Sequence, residues 1–129
     1  MRAVLTTCSA EKRRDAHPIP AVHRYTHPRV EAAARAATTA GIPLFILSGR
    51  FGLLEAHTPI PWYDHALHAA EVAFLWPRVA ERLRGRGVRE LSLHMLPPST
   101  PGWAPYHEVI ERAAETAGVR LHRQWLGTS

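Results

Sequence analysis

Ile42-Pro43-Leu44-Phe45-Ile46-Leu47 runs directly into Ser48-Gly49-Arg50-Phe51-Gly52-Leu53-Leu54. A continuous apolar run of this length, bounded by a glycine on one side and a polar turn on the other, reads as a strand covered on both faces. That is the pattern of a parallel sheet. The polar turn then lies at the carboxyl end of the strand, where sheets of this kind bind ligands.

Working upstream, Arg29 to Ala40 is alanine-rich, Pro28 suits a first helical turn, and Gly41 suits a helix stop. The stretch from His17 to His27 carries two prolines and three histidines, too broken for a regular element, and is expected to form a loop over something. Before it, Ala3-Val4-Leu5-Thr6-Thr7 is a short β-rich run that ends at the polar cluster from Cys8 to Asp15. It is expected to be the first, central strand.

Downstream, Asp64 is placed to cap a helix over residues 65–84, in which Val72, Leu75, Val79 and Leu83 recur at helical spacing. Pro77 is placed to kink or split it, and Gly85-Arg86-Gly87 ends it. Val88 to Met95 alternates as a third strand, and Pro97 to Pro101 forms a rigid loop. Ala104 to Ala117 forms a helix stopped by Gly118, and Val119 to Trp125 is a fourth strand. The order β-α-β-α-β-α-β over residues 1–129 predicts a single α/β domain. The expected architecture is a three-layer Rossmann-like sandwich, with about four mostly parallel strands and helices on both faces.

The 129 residues suffice for one hydrophobic core, and 46% hydrophobic with 21% charged residues is an ordinary globular composition. The formal charge of +5 is almost wholly arginine, because Lys12 is the only lysine. An arginine-rich surface suits phosphate, nucleotide or nucleic-acid partners. With one cysteine there is no internal disulfide, and Met1 to Thr7 enters a strand without a signal-like apolar stretch. The expected compartment is the cytoplasm, with no membrane partner and the oligomeric state undetermined.

The loops after the first three strands should share one crevice, which gathers Cys8, Ser9 and Lys12, the turn from Ser48 to Gly52, and His94, Ser99 and Thr100. Small side chains, backbone N–H groups and the Lys12 cation at a strand end can cradle an anion. Cys8 is a candidate nucleophile, although a small thiol packed at a strand end is the favoured reading. Gly49 and Gly52 permit close backbone approach or positive φ, Arg50 can clamp a phosphate, and Phe51 can stack on a base or fill the core. Asp64, after Trp62 and Tyr63, can activate water or attack a sugar carbon, or serve only as the helix cap. His17, His23 and His27 share a loop but lack a partnered carboxylate or cysteine pattern, so neither a metal nor another cofactor is expected.

Cys8-Ser9-Ala10-Glu11-Lys12, Arg24-Tyr25, Phe45 to Leu54 and Pro61-Trp62-Tyr63-Asp64 resemble a family of small bacterial and phage domains of unknown function. Those domains carry a Cys-Ser-x-x-Lys start, an Ile-Leu-Ser-Ala-x-Tyr-Gly-Leu-Leu block and a Pro-Tyr-Asp. The central block is also similar to that of the peroxide-stress protein YaaA, associated with DNA binding and protection against oxidative damage. A more distant likeness is to the uracil-DNA-glycosylase-like domain of archaeosine-forming tRNA enzymes. The resemblance covers the first half of the chain and matches Cys8, Ser9, Lys12, Tyr25, Ser48, Gly49, Gly52 and Asp64. Phe51 replaces the usual tyrosine, and Trp62 is inserted between Pro61 and Tyr63.

The expectation that follows is an enzyme acting on a nucleobase, nucleoside or nucleotide, as an N-glycosidase or base transferase. Asp64, Ser9 and Cys8 are its candidate catalytic groups. Lys12, Tyr25, Ser48, Gly49, Arg50, Phe51, Gly52 and Tyr63 are its candidate ligand-binding groups. The alternative is a non-catalytic nucleic-acid-binding module in stress or phage biology, using Arg78, Arg82, Arg84, Arg86 and Arg89. A third reading makes Cys8 a redox or sulfur-carrying thiol.

Overall fold

The computed structural model describes residues 1–126. Strand β1 is Arg2–Thr7, β2 is Ile19–Pro20, and a single helical turn, α1, is Ala21–Arg24. Helix α2 (Pro28–Ala40) leads to β3 (Leu44–Ser48), β4 (Gly52–Glu55) and β5 (Pro59–Ile60). A 3₁₀ turn at Ala69–Glu71 opens α3 (Val72–Gly85), followed by β6 (Glu90–Met95), α4 (Ala104–Ala117) and β7 (Arg120–Trp125).

The main sheet has the order β4-β3-β1-β6-β7, and β3, β1, β6 and β7 are parallel. Strand β4 is the one antiparallel member, hairpinned onto β3 with Ser48 opposite Gly52. The fold is therefore the expected α/β sandwich, with a fifth strand where a turn and loop were anticipated. Three loop residues, a serine whose Oγ accepts from the backbone N–H of Arg50 (3.2 Å) and Phe51 (3.1 Å), and Gly52 at φ +75° are what a tight hairpin requires.

Burial on both faces of β1 and β3 explains their uninterrupted apolar sequences. Leu5, Phe45 and Leu47 point to the layer formed by α3 and α4, while Val4, Leu44 and Ile46 point to α2. Leu5 and Leu47 are completely buried, and burial of each contributes about 1.5–3 kcal/mol. On β6 only Leu91, Leu93 and Met95 are buried; Ser92 and His94, on the α2 side, are half-exposed. That face of β6 and β7 is solvated, and Glu90 there meets Arg2 at 3.7 Å and His122 at 3.4 Å.

Helix α2 has the anticipated limits. Pro28 begins it, His27 Nδ1 accepts from the Arg29 backbone N–H at 3.1 Å, and Gly41 ends it in the left-handed region. Pro77 lies inside α3 without splitting it. Asp64 is not a helix cap: residues 61–68 lack regular structure, and the helix begins only after the 3₁₀ turn. The broken segment before α2 is organised by Arg24, whose side chain is fully buried. Its guanidinium donates to the carbonyls of Arg13, Asp15, His17 and Ile60 at 2.7, 3.2, 2.9 and 3.0 Å. No helix among the described residues is long and apolar enough to cross a membrane.

Candidate functional site

The chain leaves β1 for β3 on one side and later returns to β6 on the other, so the topological switch point lies between β1 and β6. Ligand crevices form there, beyond the carboxyl ends of the strands. A crevice of about 230 Å³ occupies that place, bounded by Cys8, Ser9, His27, Arg29, Trp103 and Tyr106 among others. It shares Ala10 and Glu11 with a second lobe of about 290 Å³, formed by Lys12, Arg14, Thr26, Trp62, Tyr63 and Asp64.

Arg29 organises the floor of the first lobe. Its guanidinium donates to Thr6 Oγ1 (3.1 Å), Thr7 O (2.7 Å) and Thr7 Oγ1 (3.1 Å), and it stacks 4.8 Å from the Trp103 ring centre. Burial lowers its pKa, partly offset by the negative charge that Cys8, Glu11 and Tyr106 can carry. Among the described residues no carboxylate pairs with Arg29, Lys12 or Arg14, and the Arg29 Nε proton has no acceptor. The crevice therefore holds three cations with no carboxylate within 4.0 Å among the described residues, while Glu11 lines both lobes and Asp64 the second.

Cys8, half-buried, lies with its Sγ 3.6 Å from the Tyr106 hydroxyl. That hydroxyl also accepts from the Leu67 backbone N–H at 3.1 Å, tying α4 to the 61–68 segment. Gly49 sits against the same junction: a Cβ there would come within 2.9 Å of Leu67 N and 3.0 Å of the Tyr106 hydroxyl. Gly49 thus meets the need for close approach and Gly52 the need for positive φ.

Beside Cys8 the hydroxyls of Ser48, Tyr63 and Tyr25 form a buried chain, Ser48 to Tyr63 at 2.9 Å and Tyr63 to Tyr25 at 2.6 Å. Lys12 Nζ lies 4.5 Å from the centre of the Tyr63 ring, and Phe51 meets that ring edge-on at 5.2 Å. Tyr25, Tyr63 and Tyr106 all have pKa values raised far above the ordinary phenol range, first by burial and then by the electrostatic influence of neighbouring Cys8. These hydroxyls remain protonated and act as hydrogen-bonding groups.

Cys8 and Ser9 line the first lobe and Lys12, Tyr63 and Asp64 the second, with Tyr25 and Ser48 buried behind Tyr63. Asp64 is exposed, and Ser9 Oγ donates to the Glu11 carbonyl at 2.7 Å, which commits it to shaping the loop. The single crevice expected from the sequence is divided. Gly49, Arg50 and Phe51 line a separate cavity of about 380 Å³ with His65, Glu71 and Arg78. His94, Ser99 and Thr100 do not line the switch-point crevice; Leu96, Trp103 and Tyr106 do. Arg29, Trp103 and Tyr106 escaped the sequence reading because their roles depend on helix starts that only the sheet order brings beside Cys8. Position was the available signal: Arg29 follows Pro28 at a helix start that faces the strand ends. No protein-family model, curated protein or solved structure matches this chain.

Proposed function

We propose that the protein binds a nucleotide or nucleoside in the two-lobed crevice and acts at its N-glycosidic bond, by hydrolysis or base transfer. The observation that carries the reading is the set of cations without carboxylate partners, Arg29, Lys12 and Arg14, around a crevice at the switch point. Such a site favours an anionic ligand. Trp62, 41% exposed and stacked with Arg14 at 5.0 Å, offers the base a face in the same lobe as Asp64. Phe51 cannot stack on the same base, because it lines the other cavity. Asp64 takes the proton from an attacking water as the bond to the base breaks, and Lys12 holds phosphate. Ser9 positions the loop, and Cys8 is the alternative nucleophile. The distant likeness of the Cys8-Ser9 segment to the uracil-DNA-glycosylase-like domain of archaeosine-forming tRNA enzymes points the same way.

The test is incubation with a panel of nucleotides, free bases and oligonucleotides, following base release and thermal stabilisation. Release lost in Asp64→Asn, with ligand stabilisation retained, is expected. Neither turnover nor stabilisation with any member would sink the reading, as would full activity of Asp64→Asn.

A second reading, a nucleic-acid-binding module, has one specific support. Arg78 and Arg82 on α3 and Arg86 just beyond its end, four residues apart, line one groove of about 510 Å³ with Phe51, Leu53 and Glu81. Arg84 instead donates to the Thr116 carbonyl, Arg86 is paired with Glu55 at 3.0 Å, and Arg89 lies by the amino-terminal ends of the strands, so of the expected five-arginine face Arg78 and Arg82 remain without a carboxylate within 4.0 Å among the described residues. Oligonucleotide binding that weakens steeply with salt and survives Asp64→Asn would favour this reading.

A further inference from the structure

The histidines that drew attention in the sequence were His17, His23 and His27, but the folded chain assembles a different set. His65, His68 and Glu71 place one ligating atom each within 4.8 Å of one another. The local backbone accounts for this. His68 precedes the 3₁₀ turn Ala69–Glu71, and in a helix of three residues per turn positions three apart eclipse, so His68 and Glu71 share a face. Residues 61–68 have no regular structure, which lets His65 fold back onto the same face with its Nε2 at 2.9 and 3.0 Å from the two Glu71 carboxylate oxygens. The two imidazole rings meet edge to face with centres 5.6 Å apart.

We propose that His65, His68 and Glu71 form a three-ligand site for a divalent transition metal of zinc's donor preference. Its remaining coordination position faces the cavity lined by Arg50 and Arg78. Two imidazoles and one carboxylate are a donor set that zinc takes when a position is kept for water or substrate. Tetrahedral bonds of about 2.0–2.1 Å set ligand atoms roughly 3.3 Å apart, so a bound ion opens the His65–Glu71 contact slightly while rotation of the exposed His68 ring brings in the third donor. The carboxylate is already oriented, since Glu71 Oε1 accepts from the His68 backbone N–H at 2.9 Å. The segment is anchored through Leu67, held by Tyr106 and packed against Gly49. Arg50 and Arg78 line the same 380 Å³ cavity as His65 and Glu71, which selects an anionic oxygen, from phosphate or carboxylate, as the fourth ligand. This site stands apart from the Asp64 lobe and does not depend on nucleotide turnover.

The experiment titrates chelator-treated protein with Zn²⁺ by calorimetry and with Co²⁺ by visible absorption. One equivalent should bind, with a four-coordinate Co²⁺ spectrum that inorganic phosphate perturbs. His65→Ala, His68→Ala and Glu71→Gln should each weaken binding at least about tenfold. His17→Ala and His23→Ala, both at exposed positions, should leave it unchanged. Near-ultraviolet circular dichroism establishes that each variant is folded, and the exposed His68 keeps the test open should His65→Ala not fold. Absence of binding, or binding of unchanged affinity in folded His68→Ala and Glu71→Gln, would overturn the proposal.

Discussion

The hydroxyl of Tyr63 lies 2.6 Å from that of Tyr25 and 2.9 Å from Ser48 Oγ, so Tyr63 is the middle member of a buried chain whose ends are unequal. Ser48 Oγ has two backbone donors besides, whereas the hydroxyl of Tyr25, a residue only 3% exposed, has Tyr63 as its partner.

Tyr63→Phe should therefore cost about 1–3 kcal/mol, because it orphans a buried hydroxyl. Tyr25→Phe should cost less, since Tyr63 keeps Ser48. The double variant should be more stable than the sum of the singles predicts. Urea denaturation of the three variants measures this, and strict additivity would contradict the chain.

All three tyrosines of the protein, Tyr25, Tyr63 and Tyr106, are raised above the usual phenol pKa of 10 by burial. A folded-state pKa above the unfolded one means that the folded protein holds protons the unfolded chain releases. Stability is then unaffected below about pH 10 and falls as pH rises beyond it. Phenolate absorbance should stay absent until the protein unfolds cooperatively; a phenolate titrating near pH 10 with the fold intact would refute this.

At Gly49 a methyl group has no room, whereas at Gly85 nothing stands within 4 Å of an added Cβ. Gly49→Ala should destabilise by about 1–3 kcal/mol and loosen the junction of Cys8, Tyr106 and Leu67. Gly85→Ala, at the end of α3, should stabilise by about 0.5–1 kcal/mol. Thermal denaturation of the pair supplies its own control, and equal effects would mean that the close approach is not limiting.

Arg24 holds four carbonyls together with one planar fork, a geometry lysine cannot copy. Arg24→Lys should cost about 2–4 kcal/mol and expose residues 13–20 to limited proteolysis. An unaltered denaturation midpoint and cleavage pattern would show that the segment is held by other means.

The layer order and the parallel strands were legible because they rest on local chemistry. Phe45, Ile46 and Leu47 have no polar face, so their strand must be covered twice, and Pro28 and Gly41 delimit α2 by their fixed and permissive φ angles. The same local reasoning failed at Asp64, which has the chemistry of a cap, because residues 61–68 are drawn away into contact with Gly49 and Tyr106 before a helix can start. It also missed β4, since four residues of mixed character become a strand only when β3 presents an edge to pair with.

The sequence by itself determined the α/β class, the central place of Ala3 to Thr7, and the gathering of Cys8, Ser9 and Lys12 at a strand end, because periodicity and turn chemistry act over neighbouring residues. Only the tertiary structure decided which of those groups share a cavity. It set Arg29, Trp103 and Tyr106 beside Cys8, moved Phe51 into another cavity, and joined His65 and His68 to Glu71. The physical reason is that a site is a set of distances between side chains far apart in the chain. Those distances follow from strand order and from close approaches such as that at Gly49, neither of which is encoded in any local stretch.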